Sequence, residues 1–269
     1  MNAVSNVIAS RELLWNLTLR ELRTKYRRSF LGWAWSMLNP LASVAIYSFV
    51  FSVLFISTAE PGDPSGLTGF AYFLLCGLLP WNFFSLINTL GMGAISANSG
   101  LVRRVAFPRE ILVFSNVLHA CVQFGIELLL LAIVLLVAGS PILPFLPMAL
   151  VVSVVLAVFG SGFALALSTL SVYFKDVTYL WGILLQVWFF LTPVVYAPSL
   201  VESRASETVQ TILKLNPMHA FIGTYRDLLY DAHWPSWSRL ALMLVASLMS
   251  LTAGWWIFTR LGRRLPEEV

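Results

Sequence analysis

Apolar residues in this sequence fall into long runs separated by short polar stretches. Six runs stand out, at about Trp33–Ile56, Phe70–Leu90, Ile111–Ala138, Leu146–Val172, Val177–Tyr196 and Trp237–Thr259. Each approaches or exceeds the roughly 20 residues an α-helix needs to cross a hydrocarbon layer about 30 Å thick. The pattern predicts an all-α integral membrane protein with six transmembrane helices in a single transmembrane domain covering 1–269.

The polar stretches carry patterns of their own. Ahead of the first run, Trp15, Leu19, Leu22, Tyr26 and Phe30 recur at steps of three and four, flanked by Arg20, Lys25, Arg27 and Arg28. Such a stripe predicts an amphipathic helix within 1–32 that lies in the headgroup layer, against the plainer reading of a basic flank that only sets topology. Between the second and third runs, Ala94 to Glu110 is polar, with a short helix expected before the breaker Phe107-Pro108. It is longer than the roughly 5 residues a bare connection needs, which suggests a docking surface; a basic topology anchor is the alternative. Before the last run, Ser206-Glu207 and Asn216-Pro217 each have the chemistry of a helix start. Two short helices are expected there, either re-entrant or capping the membrane face, with Met218, Phe221, Ile222, Tyr225 and Leu229 on one side and Arg226 and Asp227 on another.

Composition agrees with a membrane protein. The chain is 58% hydrophobic and 11% charged, where soluble domains are about 45–50% apolar and 25% charged; mean hydropathy is +0.81. The net charge of +4 comes from bases beside the spans, not from a basic face suited to nucleic acid. Six Lys and Arg in the N-terminal segment, three at 91–110, Lys175 and three at the C-terminus lie on one side, against Arg204, Lys214, Arg226 and Arg239 on the other. By the positive-inside rule the first side is cytoplasmic, so both termini, including a tail at 260–269, are expected there and the six-span bundle occupies 33–259. The acids show no such bias. About 30 mostly polar residues precede the first run with no A-x-A-like site after it, so that run is expected to remain in the mature protein. Cys76 and Cys121 fall inside spans and read as packing residues.

Most catalytic chemistry is missing. There is no phosphate-binding G-x-x-x-x-G-K-[ST] loop, no G-x-S-x-G elbow and no D-x-D pair, and His119, His219 and His233 lack metal-ligand spacing. No catalytic residue and no metal is expected, and active transport would draw its energy from a partner or an ion gradient. Glu127 is the one clear intramembrane acid, and His119, Gln123 and Glu127 line one helix face over about 12 Å. That face is a polar wall of a conduit, a hydrogen-bonded helix contact, or an acid near the outer interface. Aromatics crowd the first and fifth runs; many suit interfacial belts, while Phe51, Trp188 and Phe189 lie deeper and could stack on sugar rings along a glycan path. Gly160, Gly162, Ala164, Ala166 and Ser168 form a small-residue strip suited to close helix packing.

Five stretches in order resemble the membrane subunits of type-2 ABC polysaccharide exporters, the permeases of O-antigen, teichoic acid and galactan export. They are Leu19 to Trp35 (LRELRTKYRRSFLGWAW) with Asn39-Pro40; Leu101 to Glu110 (LVRRVAFPRE); Tyr173 to Val177 (YFKDV); Thr192 to Tyr196 (TPVVY); and Leu215-Asn216-Pro217 followed by Tyr225-Arg226. The resemblance implies a homodimer in the bacterial cytoplasmic (inner) membrane, working with a separate nucleotide-binding subunit that holds ATP and Mg. It implies that the N-terminal helix (Trp15, Leu19, Leu22, Tyr26) and the 91–110 loop (Arg103, Arg104, Phe107, Pro108, Arg109, Glu110) meet that ATPase, and that the cargo is a lipid-linked polysaccharide of the cell envelope. Phe51, Trp188, Phe189, Tyr196, Gln123 and Glu127 are the channel-lining candidates. A permease for a small drug or lipid, or a membrane-embedded glycosyl- or acyltransferase, are the rival readings.

Overall fold

The computed structural model describes residues 10–25, scattered positions between 32 and 50, and residues 61–105, 107–198 and 206–262. Most of the first apolar run, with Phe51, lies outside the described residues, as does Tyr26. All the regular structure among the described residues is helical. The helices are α1 (Arg11–Lys25), α2 (Phe70–Ala97), α3 (Ser99–Arg104), α4 (Glu110–Val137), α5 (Leu146–Tyr173), α6 (Val177–Leu191), α7 (Glu207–Leu215), α8 (Pro217–Arg226) and α9 (Trp237–Leu261).

Among the described residues, four helical stretches are long and apolar enough to cross a membrane: α2, α4, α5 with the 3-10 turn that leads into it (Leu143–Tyr173), and α9. At 28 residues, α2, α4 and α5 are each about 42 Å long at 1.5 Å per residue, enough to cross the hydrocarbon layer and project beyond it. Helix α6 differs from expectation. It has only 15 residues and ends at Leu191, five short of the predicted Tyr196. The reason lies in Thr192-Pro193: the proline ring disfavours helical backbone at the preceding residue, and Thr192 is extended.

The core is a layered bundle in which α2 packs between α4 and α5, and α5 also packs along α9. The small-residue strip of α5 serves both neighbours. A Cβ on Gly160 would meet Ile87, and one on Gly91 would stand 2.5 Å from Ala164 Cβ, so α2 lies tight on that face. On another face Gly162 meets the backbone of Ser250, and Gly254 meets the backbone of Gly162. Ser247 and Ser250 of α9 donate to the carbonyls of Val155 (3.1 Å) and Phe159 (2.8 Å) on α5, bonds that only such close approach permits. Along its whole length α9 buries only Met243, Ser247, Gly254 and Phe258. Leu244, Leu248, Met249 and Trp256 on α9, and Ile183, Leu184 and Val187 on α6, are exposed apolar side chains of the kind lipid covers.

Candidate functional site

Two polar assemblies stand at opposite ends of α2, one for each group of motifs. At the end carrying most of the basic residues, α2 stops at Ala97, and Asn98 separates it from α3. The Asn98 amide donates to the Ala94 carbonyl (2.9 Å), and its oxygen accepts from Arg20 Nη2 of α1, which also pairs with Glu21 at 2.7 Å. Helix α1 is therefore fastened to the α2–α3 corner as well as packed on α4. Its packed face is Leu13, Leu14 and Leu17, with Leu17 buried at 6% exposure. Of the stripe expected to insert, Leu19 and Leu22 are half-buried and Trp15 is 57% exposed, so the stripe runs beside the packed face and remains open outward.

In α3 only Val102 is buried; Arg103 and Arg104 are exposed side by side in its last turn. Phe107 packs against the core, Pro108 and Glu110 are half-buried at the start of α4, and Arg109 turns inward to donate to the Gly262 carbonyl. The Tyr173 hydroxyl donates to Leu261 O at 2.9 Å. Two motif residues thus satisfy carbonyls at the end of α9, which no helical amide can reach. Sequence periodicity gave no signal for that closure.

At the other end, three motifs that are far apart in sequence meet. Asn216 caps α8 by accepting from Met218 N at 3.0 Å, and the same oxygen accepts from Trp188 Nε1 at 2.8 Å. Its amide donates to Thr192 Oγ1 (2.9 Å) and Leu191 O (3.3 Å). One asparagine therefore ends α6, starts α8 and ties the two together. Arg226, at the other end of α8, donates to the Pro193 carbonyl at 2.6 Å and the Val194 carbonyl at 2.7 Å. Its guanidinium carbon stands 3.7 Å from the Phe73 ring centroid, and a Cβ on Gly77 would come within 2.9 Å of Nη2. At 4% exposure this is a buried cation held by carbonyl dipoles and a ring face. Tyr225 beside it hydrogen-bonds Ser153 of α5 at 2.8 Å.

Past Arg226 the helix widens to a π-turn at Asp227–Asp231, which faces Arg239 at the start of α9. Asp227 forms an ion pair with Arg239, and Ser65 and Leu67 of the first loop bond to Tyr230. These elements enclose a cavity of about 780 Å³ whose wall includes Asp63, Phe73, His219, Arg226, Asp231 and Arg239. Burial, and then the charge of Asp227, raise the Asp231 carboxyl to about 6. Among the described residues no group of three or more His, Cys, Asp or Glu could hold a metal ion.

The channel-lining candidates fall in two places. Gln123 donates to Glu127 at 2.9 Å, and Glu127 is buried on the face of α4 that also carries His119. Trp188 lies against Trp81, Phe84, Phe159 and Phe163, and Phe189 against Trp81, so both rings meet α2. Tyr196 folds back to donate to Phe190 O at 2.9 Å. The sequence missed that Asn98, Asn216 and Arg226 are bridging residues; only the X-Pro breaks at 192–193 and 216–217 hinted that carbonyls there would need other partners.

Comparison with known proteins agrees with this assembly of motifs. The profile of the ABC-2 type transporter family matches residues 12–230. The chain is 29% identical over 259 residues to the O-antigen export system permease protein RfbA of Myxococcus xanthus, covering 96% of each chain. It is 25% identical over 257 residues to an RfbA of Klebsiella pneumoniae, covering 95% of this chain and 94% of that one. It is 30% identical over 183 residues to the polysialic acid transport protein KpsM of Escherichia coli, covering 67% of this chain and 68% of that one. The chain belongs to the ABC-2 type transporter family, as one of its membrane permeases.

Proposed function

We propose that two copies of this chain form a channel in the bacterial inner membrane through which a lipid-linked polysaccharide passes outward, driven by ATP hydrolysis on a separate subunit. The observation that carries this reading is near full-length similarity to permeases named for O-antigen export. The geometry supplies a mechanism. Arg103 and Arg104 on α3, with α1 fastened beside them through Arg20 and Asn98, form a platform that an ATPase can grip. Helix α2 is one continuous rod from that platform to Phe73 and Gly77, where Arg226 seats α8 and the end of α6. A tilt imposed on α3 by ATP binding at the partner, where ATP and Mg2+ reside, would travel along α2 toward the outer junction, with Pro80, just short of Gly77, removing one backbone hydrogen bond on the way. Both termini lie in the cytoplasm in this arrangement, α8 and its π-turn act at the outer face, and Trp188, Phe189, Tyr196, Gln123 and Glu127 lie near the path that opens.

Reconstitution tests the reading. The purified permease with its co-expressed ATPase in proteoliposomes should protect lipid-linked glycan from an external glycosidase only when ATP is supplied inside the substrate-loading compartment. ATP-independent movement, or failure to retain any ATPase on purification, would refute it.

A further inference from the structure

A second cavity, of about 600 Å³, opens at the platform end between α2, the start of α3 and the turn from α5 to α6. Thr89, Gly93 and Ser96 follow at i, i+4 and i+7 on α2, so they share one face. Ser99 extends the row, Ser171 and Thr178 stand in the opposite wall, and Lys175 is the one charged residue among those lining it. Asp176, next in the chain, is exposed and does not line the cavity. Thr89 and Ser171 direct their protons to the carbonyls of Ser85 and Met92, each at 2.9 Å. Ser96, Ser99, Thr178 and Lys175 make no side-chain hydrogen bond among the described residues, so the donors left over are three hydroxyls and an ammonium.

A wall of donors with one cation and no carboxylate suits a ligand with several anionic oxygens, and disfavours cations. Position narrows the ligand further. The row from Thr89 to Ser96 covers about 11 Å of α2, from the apolar layer to the platform, and Ser99 continues it past the Asn98 break, so an anion bound there sits at headgroup height. Beside it begins the exposed stripe Tyr179, Ile183, Val187 and Phe190 along α6, an apolar track for a hydrocarbon chain. We infer that this cavity binds the phosphate group of a lipid, with Lys175 opposing its charge, Ser96, Ser99 and Thr178 donating to its oxygens, and the α6 stripe carrying its chain. The assignment rests on the export reading for its role, as the place where a cytoplasmic lipid-linked substrate is first held.

The test uses the permease–ATPase complex in phosphatidylcholine nanodiscs, with bound lipid read by native mass spectrometry. Farnesyl diphosphate and phosphatidylglycerol are titrated separately, with farnesol as the uncharged control. Lys175→Gln should weaken binding roughly tenfold or more, as expected for a lost charge-assisted bond, and Lys175→Arg should restore most of it. Gly93→Leu is the second variant: an added Cβ there meets nothing within 4 Å, so the side chain fills the cavity without straining the helix. Preference for farnesyl diphosphate identifies a carrier diphosphate, and preference for phosphatidylglycerol identifies a bilayer phospholipid; both support the site. Equal binding by farnesol, or binding unchanged in Lys175→Gln and Gly93→Leu, overturns it. So does loss of the ATPase from Lys175→Gln with lipid binding intact, which would place Lys175 in the subunit interface. Lys175-dependent binding without ATP-driven export would instead remove the proposed function and leave this site standing.

Discussion

Replacing Arg226 by methionine keeps an unbranched apolar stem and removes the guanidinium that holds the outer junction. Two charge-assisted hydrogen bonds, to Pro193 O and Val194 O, are lost, at about 1.5–3 kcal/mol each. The contact with the Phe73 ring goes too, worth about 2 kcal/mol when desolvated. Against this, the mutant no longer buries a cation, which recovers several kcal/mol. The two carbonyls, however, lie on buried residues and lose their donors, at about 1–3 kcal/mol each. Taken at the low end of each range, these contributions leave a net loss of about 3 kcal/mol. For a chain of this size that corresponds to a fall of roughly 6–12 °C in melting temperature. Arg226→Lys should lose about half as much, because an ammonium lacks the fork that reaches both carbonyls. Gly77→Ala should destabilise the same junction from the other side, since its Cβ would lie 2.9 Å from Nη2 and 3.1 Å from Val194 O. Thermal unfolding of the purified protein in detergent, followed by tryptophan fluorescence, provides the assay. A methionine variant melting within about 1 °C of the wild type would refute the claim that Arg226 is the clamp.

Four further outcomes are expected. Arg104→Ala with Phe107→Ala should reach the membrane in normal amounts and retain much less ATPase on affinity purification; unchanged retention and transport would exclude α3 as the coupling element. Gly254→Leu should cost more than about 3 kcal/mol, because its Cβ runs into the Gly162 backbone. Gly125→Leu, whose Cβ meets nothing within 4 Å, should be near neutral in the same melting assay. Because the folded Asp231 carboxyl is raised from 3.8 to about 6, the folded state binds more protons than the unfolded state across that window, and stability falls as pH rises through it. Asp231→Asn should therefore stabilise the protein at pH 8 relative to wild type and change it little at pH 4, read by melting across the series.

Most of the membrane architecture was legible in the sequence because its signal is one-dimensional. An apolar run of sufficient length needs no partner to be read, and α4, α5 and α9 begin and end within a few residues of their runs. Where the run faded the reading fell short: α2 continues to Ala97 because Gly91 to Ala97 is small and only weakly apolar yet still helical. The helix starts at Glu207 and Pro217 were also legible, since capping chemistry is local. Only the second of these is made by a side-chain cap, from Asn216.

The site was legible as a set of motifs but not as contacts, and Arg226 with Asp227 shows why. Neighbouring charges at the end of a short helix read as one polar side. The structure separates them: Arg226 turns inward to α2 and the Pro193–Val194 carbonyls, while Asp227 reaches α9. What reverses Arg226 is a set of unsatisfied carbonyls created about thirty positions earlier by a proline, and no periodicity within α8 can report that. The same reasoning explains why the TPVVY, NP and YR stretches belong together. Pro193 ends α6 and exposes its last carbonyls; Asn216 and Arg226 supply the donors; Gly77 leaves room for the guanidinium against α2. Changing any one of them without the others leaves a buried polar group unpaired, so these residues should respond to substitution as a unit. In a double-mutant cycle, Arg226→Met and Gly77→Leu should be strongly non-additive, whereas Arg226→Met and Gly254→Leu, which share no neighbours, should add.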